Sequence, residues 1–553
     1  MEKLEFKIEK LFKNPVKDEA DLASFKRKLA KERGTSCLSN VELLKTYHKL
    51  LKNKRIRKSE NLENLLIKRK IRSLSGVVVV SVLTKPYFCP GKCIFCPTEI
   101  GFPKSYLSGE PAAERAKMLK FDPYLQVKKR LESLKRQGHP TDKIELRIIG
   151  GSFSVYPCDY KIWFLSNCFS AANRRKNISN KKSSWKILEK EQKINEKSKQ
   201  RIIGISIETR PNLITKEEII NLRNLGVTMV ELGVQTIFDE VLKKCKRGHG
   251  KKETAFATKL LKDSGFKILY QMMPNLPGSN PDKDLKSFKE IFKNSDFKPD
   301  WLKIYPCLVC EGSELYDIWK EGKYKPYSDK KLISLLVKIK TGLPYWVRLA
   351  RLFRDIPSPK IKGGCKISNL REVVLDNMKK EKKICHCIRC REVRESYDPK
   401  EKTYLFREDY LASGGKEIFL SFENKKRTKL FSFLRLRISA FAKASAGKLS
   451  QKHFLPILEG SAVVRELQTY GQSVPVSETR VAPQHKGLGK KLMKMAERIT
   501  KNEFKFRPVK SAKGGAKQFN RVNKIAVISG VGVRDYYRKL GYKLNNTYMV
   551  KQI

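Results

Sequence analysis

Residues 76–97 read GVVVVSVLTKPYFCPGKCIFCP, a β-branched run that ends at Thr84 and passes directly into a loop carrying Cys89, Cys93 and Cys96. The run is too short and too β-branched for a helix and reads as a strand. Pro86, Pro90, Gly91 and Pro97 break the chain around the thiols, so the cysteines sit on a turn-rich loop just beyond the strand end. Thiolates at this spacing can converge on one soft metal centre. A zinc clip needs a fourth ligand, and the candidates are poor: Glu99 is close, Cys158 distant. The remaining readings are a redox pair with a spare thiol, or a three-cysteine mount that leaves one iron of a 4Fe-4S cluster open.

Further along, the same kind of strand recurs in IELRIIGGSF, IIGISIET, VTMVELGVQT, KILYQMMP and DWLKIYP, each followed by glycine, proline or polar residues. The spacing leaves room for crossover helices, so the chain is read as α/β, with a parallel barrel or part-barrel. Functional groups in such a sheet gather where strands end. Gly150 and Gly151 let backbone approach a ligand there, although a tight turn is the plainer explanation of such a pair taken alone. Glu208, Arg210, Glu231, Gln235 and Lys303 are the polar candidates at strand ends, with salt-bridged scaffolding as the rival reading. A cation such as Lys303 in a barrel mouth can polarise a carbonyl or meet a phosphate.

The 553-residue chain is long enough for several cores, and its 40% hydrophobic content supports them. A net charge of +61 points to a polyanionic partner, with lysine-rich composition as the plainer alternative. The sequence has no membrane-spanning apolar stretch and no basic, apolar leader, so a cytoplasmic protein without membrane contact is expected. Thirteen cysteines, several in C-x-C or C-x2-C spacing, suit metal ligation in a reducing compartment.

Residues 1–75 read as a basic helical module. Residues 174–200 and 441–452 read as lysine-rich surface elaborations or disorder. In KKICHCIRCREV, Cys385, Cys387 and Cys390 suggest a zinc knot within a linker at 361–400, with Cys365 as a candidate fourth ligand. Cys307 and Cys310 read as barrel packing. Beyond residue 400, strands, a glycine turn and a helix imply a second, smaller α/β domain with its own phosphate site.

The three-cysteine spacing after a first barrel strand resembles the radical S-adenosylmethionine (SAM) superfamily. The resemblance narrows through PKSYLSGEPAAERAKMLKFDPYLQV, ISIETRPNLIT, VELGVQTIFDEVLKKCKRGH, QMMPNLPGSNPDKDL and RLFRDIPSPKIKGGCKISNLREVV. Together these are similar to the Elongator complex catalytic subunit family, from about residue 76 to the C-terminus. Beyond the basic helical module read at 1–75, the resemblance implies a radical SAM partial (β/α) barrel over 76–360, the linker, and a GNAT-type acetyltransferase domain over 401–553.

It further implies a 4Fe-4S cluster on Cys89, Cys93 and Cys96 whose open iron takes SAM. Gly150, Gly151, Glu208 and Gln235 then fall in the SAM site. Gln484, Gly487, Leu488 and Gly489 open a helix whose N-H groups can cradle the coenzyme A pyrophosphate. Lys303, Tyr536 and Tyr537 are the catalytic candidates. A tyrosine there can protonate the departing thiolate, although a tyrosine pair on a late helix is otherwise core packing.

The activity implied is wobble-uridine modification at carbon 5 of tRNA, an acyl transfer from acetyl-CoA through a SAM-derived radical that leads to carboxymethyl-uridine. The anticodon stem-loop is the expected partner, with the enzyme a stand-alone monomer or a homodimer. Three alternatives stay open: a protein-lysine acetyltransferase with a structural cluster, a radical SAM RNA enzyme of other chemistry such as methylthiolation, and a non-catalytic tRNA scaffold.

Overall fold

A computed structural model describes residues 9, 16–67, 75–179, 183–394, 398, 400–439, 453–471, 487–504 and 522–553. Its centre is a sheet of seven parallel strands: β1 Val77–Leu83, β2 Lys143–Ile149, β3 Arg201–Thr209, β4 Met229–Gln235, β5 Lys267–Met272, β6 Trp301–Ile304 and β8 Arg348–Arg351. They lie side by side in chain order. The short strands β7 Val309–Cys310 and β9 Ile361–Gly363 pair separately beside them. Six of the seven strands coincide with the runs read from the sequence; β8 is an addition.

Alternation gives this sheet an apolar outer face and a polar inner one. On β2, Ile144, Leu146 and Ile148 are buried in the outer core, while Lys143, Glu145, Arg147 and Ile149 line an inner cavity. Val78, Val80 and Val82 of β1 share that core, while Val79 and Ser81 face the cavity. Helices Pro123–Arg136 and Cys158–Ala172 cover the outer face.

The segment 174–200 departs from its expected character. Trp185–Asn195 is a capped helix, with Leu188, Glu191, Gln192 and Asn195 buried. Asn195 accepts from the Ile202 N–H at 2.7 Å and thereby fixes the start of β3. The helix is therefore part of the crossover into β3 and no loose elaboration. The tract 441–452 lies outside the described residues.

At the N-terminus, helices Glu19–Arg33, Asn40–Lys52 and Glu60–Leu66 bury Leu22, Leu29, Leu43, Leu44, Tyr47, Leu50, Leu62 and Leu66 among themselves. Ser39 and Glu42 form a reciprocal capping box at the second helix.

The C-terminal sheet runs β10 Tyr404–Ala412, β11 Gly415–Glu423, β12 Leu430–Ile438, β13 Ser461–Thr469, β14 Lys524–Val527, β16 Tyr548–Gln552 and β15 Lys543–Asn545 in spatial order. Its neighbours are antiparallel except β13 and β14, which pair in parallel. That pairing stops at Val464 with Val527, while β13 continues to Thr469. A slot opens between the two strands from Arg465 onward.

A buried ionic network joins the two sheets. Arg437 contacts Asp263 at 2.6 Å and Glu417 at 2.9 Å. Arg465 donates to Asp300 at 2.9 and 2.8 Å, Arg435 to Glu466 at 2.9 Å, and Lys262 lies 3.6 Å from Asp300 and 3.7 Å from Glu417. All eight side chains are almost completely buried. At the other end Arg534 and Arg538 reach Glu196, just past the crossover helix, at 3.0 and 2.7 Å. Backbone meets backbone at Gly530, where a Cβ would fall 1.9 Å from the Ile203 carbonyl oxygen; the close seat excludes any side chain.

Candidate active site

One cavity of about 1450 Å³ is lined by residues of both sheets. Cys89, Cys93 and Cys96 line it at the C-terminal ends of the barrel strands. The lumen residues of β1 to β6 line its middle. Thr469, Gly487, Gly489, Tyr536 and Tyr537 line it on the second sheet.

The cysteine loop is held from two sides. Ile94 donates to the Cys245 carbonyl at 3.2 Å, and Leu315 donates to that of Ile94 at 2.8 Å. Thr98 donates to the Gly312 carbonyl at 2.9 Å. Arg247 and Arg210 place guanidinium nitrogens 3.2 and 3.5 Å from Cys93 Sγ. Although burial opposes ionisation, these two cations hold the Cys93 thiol below its ordinary range. Burial pushes Cys96 up to about 11. Three thiols on one loop, lining a common cavity and flanked by two guanidiniums, are a donor set that fits a three-cysteine cluster mount.

Gly150 and Gly151 have φ of +128° and +99°, a region that favours glycine. At Gly150 the constraint is packing, because a Cβ would sit 2.2 Å from Thr84 Oγ1; at Gly151 a Cβ would make an ordinary 3.7 Å contact with the Lys104 carbonyl oxygen. Glu208 accepts from Tyr106 Oη at 2.9 Å and from Gln271 Nε2 at 3.1 Å, and burial raises its carboxyl above the usual range. Gln235 has φ of +71°, lines the cavity and leaves its buried Oε1 without a hydrogen-bond partner.

Lys303 is less free than a carbonyl-polarising cation would be. Its ammonium contacts Glu231 directly and lies 3.8 Å from Glu208. Burial works against the charge, but the carboxylates outweigh it and raise the ammonium above its ordinary value. The geometry is that of an ion pair within the lumen wall.

On the second sheet, Gly487 has φ of +67° and caps helix Leu488–Ile499, whose first turn faces the slot beside β13. A Cβ on Gly489 would lie 3.1 Å from Tyr536 Oη and 3.6 Å from Thr469 Oγ1. The tyrosine hydroxyl thus points at the helix N-terminus, a cradle suited to an anionic thioester carrier. Tyr537 is buried in the core of the C-terminal sheet, although it too touches the cavity. Gln484 lies outside the described residues.

In the linker, Cys385, Cys387 and Cys390 bring their sulfurs within 4.8 Å of one another, with Lys340 Nζ 3.6 Å from Cys390 Sγ. Cys365 does not join them; it is buried beside Asp329, which excludes it as the fourth ligand in this arrangement. His386 instead stacks on Tyr345 at 4.6 Å. Cys307 and Cys310 are buried in apolar clusters, as expected of packing residues.

Sequence reasoning missed Arg247, whose contact with Cys93 spans 154 positions, and the lumen residues Arg147, Gln271 and Arg348. The alternation of Lys143, Glu145 and Arg147 with apolar neighbours is the signal that marks the lumen.

Comparison with known proteins places this geometry. Residues 83–291 match the Radical SAM superfamily and residues 299–380 the Radical SAM C-terminal domain. A tRNA uridine(34) acetyltransferase of Methanocaldococcus infernus is 47% identical over 506 residues, covering 88% of each chain. Elongator complex protein 3 of Homo sapiens is 39% identical over 503 residues, covering 87% of this chain and 85% of its own. The solved structure of Methanocaldococcus infernus Elp3, lacking residues 1–46, matches with a TM-score of 0.71 and 44% identity, over 87% of this chain and 100% of that one. The chain belongs to the radical SAM family of tRNA uridine(34) acetyltransferases and Elongator complex protein 3.

Proposed function

We propose that the chain is a tRNA wobble-uridine acetyltransferase that brings a radical site and an acetyl donor together in one cavity. The observation that carries this reading is the continuity of that cavity from Cys89, Cys93 and Cys96 to Gly489 and Tyr536. A protein-lysine acetyltransferase needs only the second end. When bound, a 4Fe-4S cluster with SAM supplies a 5'-deoxyadenosyl radical, and acetyl-CoA supplies the acetyl group.

Cys89, Cys93 and Cys96 hold the cluster, and Arg210 and Arg247 stabilise Cys93 as thiolate. Gly151, Glu208 and Gln235 line the SAM site, where the small glycine leaves room and the two polar side chains offer acceptors. Gly487, Leu488 and Gly489 present backbone N–H groups to the coenzyme A pyrophosphate. Tyr536 is assigned the proton for the departing thiolate, and Tyr537 the packing that fixes its neighbour. Lys303 orders Glu231 and Glu208 in the lumen wall. Zinc on Cys385, Cys387 and Cys390 pins the linker.

The basic N-terminal helices and the positive surface suit the phosphates of an anticodon stem-loop. Uridine recognition requires the base to be splayed from its stack into the cavity. The test is anaerobic reconstitution with iron and sulfide, followed by incubation with tRNA, SAM and acetyl-CoA and nucleoside analysis. Tyr536→Phe and Cys93→Ala are expected to abolish or sharply reduce the modified uridine. Intact modification by Cys93→Ala overturns the radical reading.

A further inference from the structure

The linker helix Ile388–Arg391 brings Arg389 to the cavity wall, and Arg394 joins it just beyond. Buried Nε of Arg389 has no hydrogen-bond partner. Its neighbours are cationic: Arg394 donates to the Arg389 carbonyl at 3.4 Å, Arg348 lines the same wall, and Glu392 is the carboxylate beside them.

That carboxylate is already committed. Glu392 takes Arg348 at 2.6 Å and Arg394 at 3.1 Å. Arg348 also donates to Tyr470 Oη at 2.8 Å, and Arg371 donates to the Leu349 carbonyl at 2.8 Å. Arg348 and Arg394 therefore share one carboxylate, with Arg371 tied to β8 beside them, at the place where linker, β8 and the end of β13 meet. Arg389, with its buried Nε unpartnered beside a cavity, offers a donor that an anion from outside would satisfy.

We infer that Arg389 and Arg394 form a binding site for a nucleotide phosphate on the wall of the shared cavity. Planar guanidinium forks match phosphate oxygens, and Arg371 and Arg348 raise the local positive potential behind them. The inference deepens the proposed function and rests on it, because both substrates in that reading carry phosphates: the RNA backbone and coenzyme A.

The test measures binding by the full chain of three probes: an anticodon stem-loop RNA, coenzyme A and dephospho-coenzyme A. Variants are Arg389→Gln, Arg394→Gln and the control Lys539→Gln, which removes the same charge at an exposed position outside the cavity lining. Arg394 is half-exposed, so its variant keeps the site testable if Arg389→Gln fails to fold.

The expected result is a loss of about tenfold for one phosphate source in both arginine variants and none in the control. If the source is RNA, the dependence of log affinity on log salt falls by about one. If it is the coenzyme A 3'-phosphate, the wild-type preference over dephospho-coenzyme A shrinks; if the pyrophosphate, both coenzymes weaken alike. Unchanged affinity for RNA and coenzyme A in both variants overturns the phosphate site while leaving the proposed function standing. Wild-type protein that binds neither overturns both.

Discussion

Arg247 donates from Nη1 to Cys93 Sγ at 3.2 Å while its Nη2 is held by the Gly233 carbonyl at 2.5 Å. The guanidinium is therefore fixed by β4 and aimed at Cys93, a thiol of the proposed cluster mount. Hydrogen bonds and positive charge at a ligand sulfur favour the reduced, more negative cluster. Arg247→Gln is expected to lower the cluster midpoint potential by about 60 mV, the one-electron equivalent of a tenfold change in equilibrium. A redox titration monitored by electron paramagnetic resonance reads it directly. An unchanged potential removes the arginine from the tuning role.

The two tyrosines separate by what they touch. Tyr536→Phe keeps the ring and loses the hydroxyl that faces Gly489, so thiolate release is expected to slow by roughly 100-fold with little change in melting temperature. Tyr537→Ala removes a buried ring from the C-terminal core and is expected to cost roughly 3–5 kcal/mol of stability. Coenzyme A release assayed beside thermal melts distinguishes them, and equal effects on both readouts contradict the assignment.

Lys262 makes stability depend on alkaline pH. Burial brings its ammonium down to about 8, despite the opposing pull of Asp300 and Glu417. An unfolded lysine titrates near ~10.4, so between these values the unfolded chain holds a proton that the folded chain has lost. Folding is thus favoured increasingly as pH rises from about 8 to 10.4, by about 3 kcal/mol over the full span. Lys262→Met is expected to lack this increment; parallel pH-stability curves for the two proteins exclude it.

Asp300 answers Arg465 and Lys262, with Arg435 3.8 Å away, from a fully buried position. Asp300→Asn removes a buried carboxylate and leaves those cations to Glu417 and Glu466 alone, and is expected to cost roughly 3–5 kcal/mol at neutral pH. The Asp300 carboxyl is held well below its usual range, since its cationic partners outweigh burial. Its contribution is present above the unfolded carboxylate value of ~3.9 and is lost as pH falls through the folded one. The gap between wild type and variant should therefore narrow in strong acid; a gap constant with pH contradicts the assignment.

Cys387→Ser is expected to release one equivalent of zinc, measured by mass spectrometry of the purified protein, while the iron content on Cys89, Cys93 and Cys96 is unchanged. Loss of iron in the same variant contradicts separate metal sites.

Much of this was legible where local pattern and tertiary role agree. The runs at β1 to β6 are apolar enough to announce themselves, and the glycine turn before Leu488 marks a helix that opens on a slot. β8 was missed because it is four residues long and its two arginines leave no apolar run. Helix Trp185–Asn195 was missed for a related reason: most of its buried positions are polar, and their hydrogen bonds to Asn173, Asn224 and β3 leave no hydrophobic period. Cys365 looked like a ligand because it is near in sequence, whereas the chain carries it to Asp329. Arg247 has no local signature, since its meaning arises only when the fold joins β4's exit to the first loop.

The buried network between the sheets bears on how such a protein can be inherited. Asp263 and Asp300 of the barrel meet Arg437, Arg465 and Arg435 of the C-terminal half, and Lys262 of the barrel meets Glu417 of that half. A gene break between the halves would separate Arg437 from Asp263 and Arg465 from Asp300, exposing on each side charges that are buried only against the other.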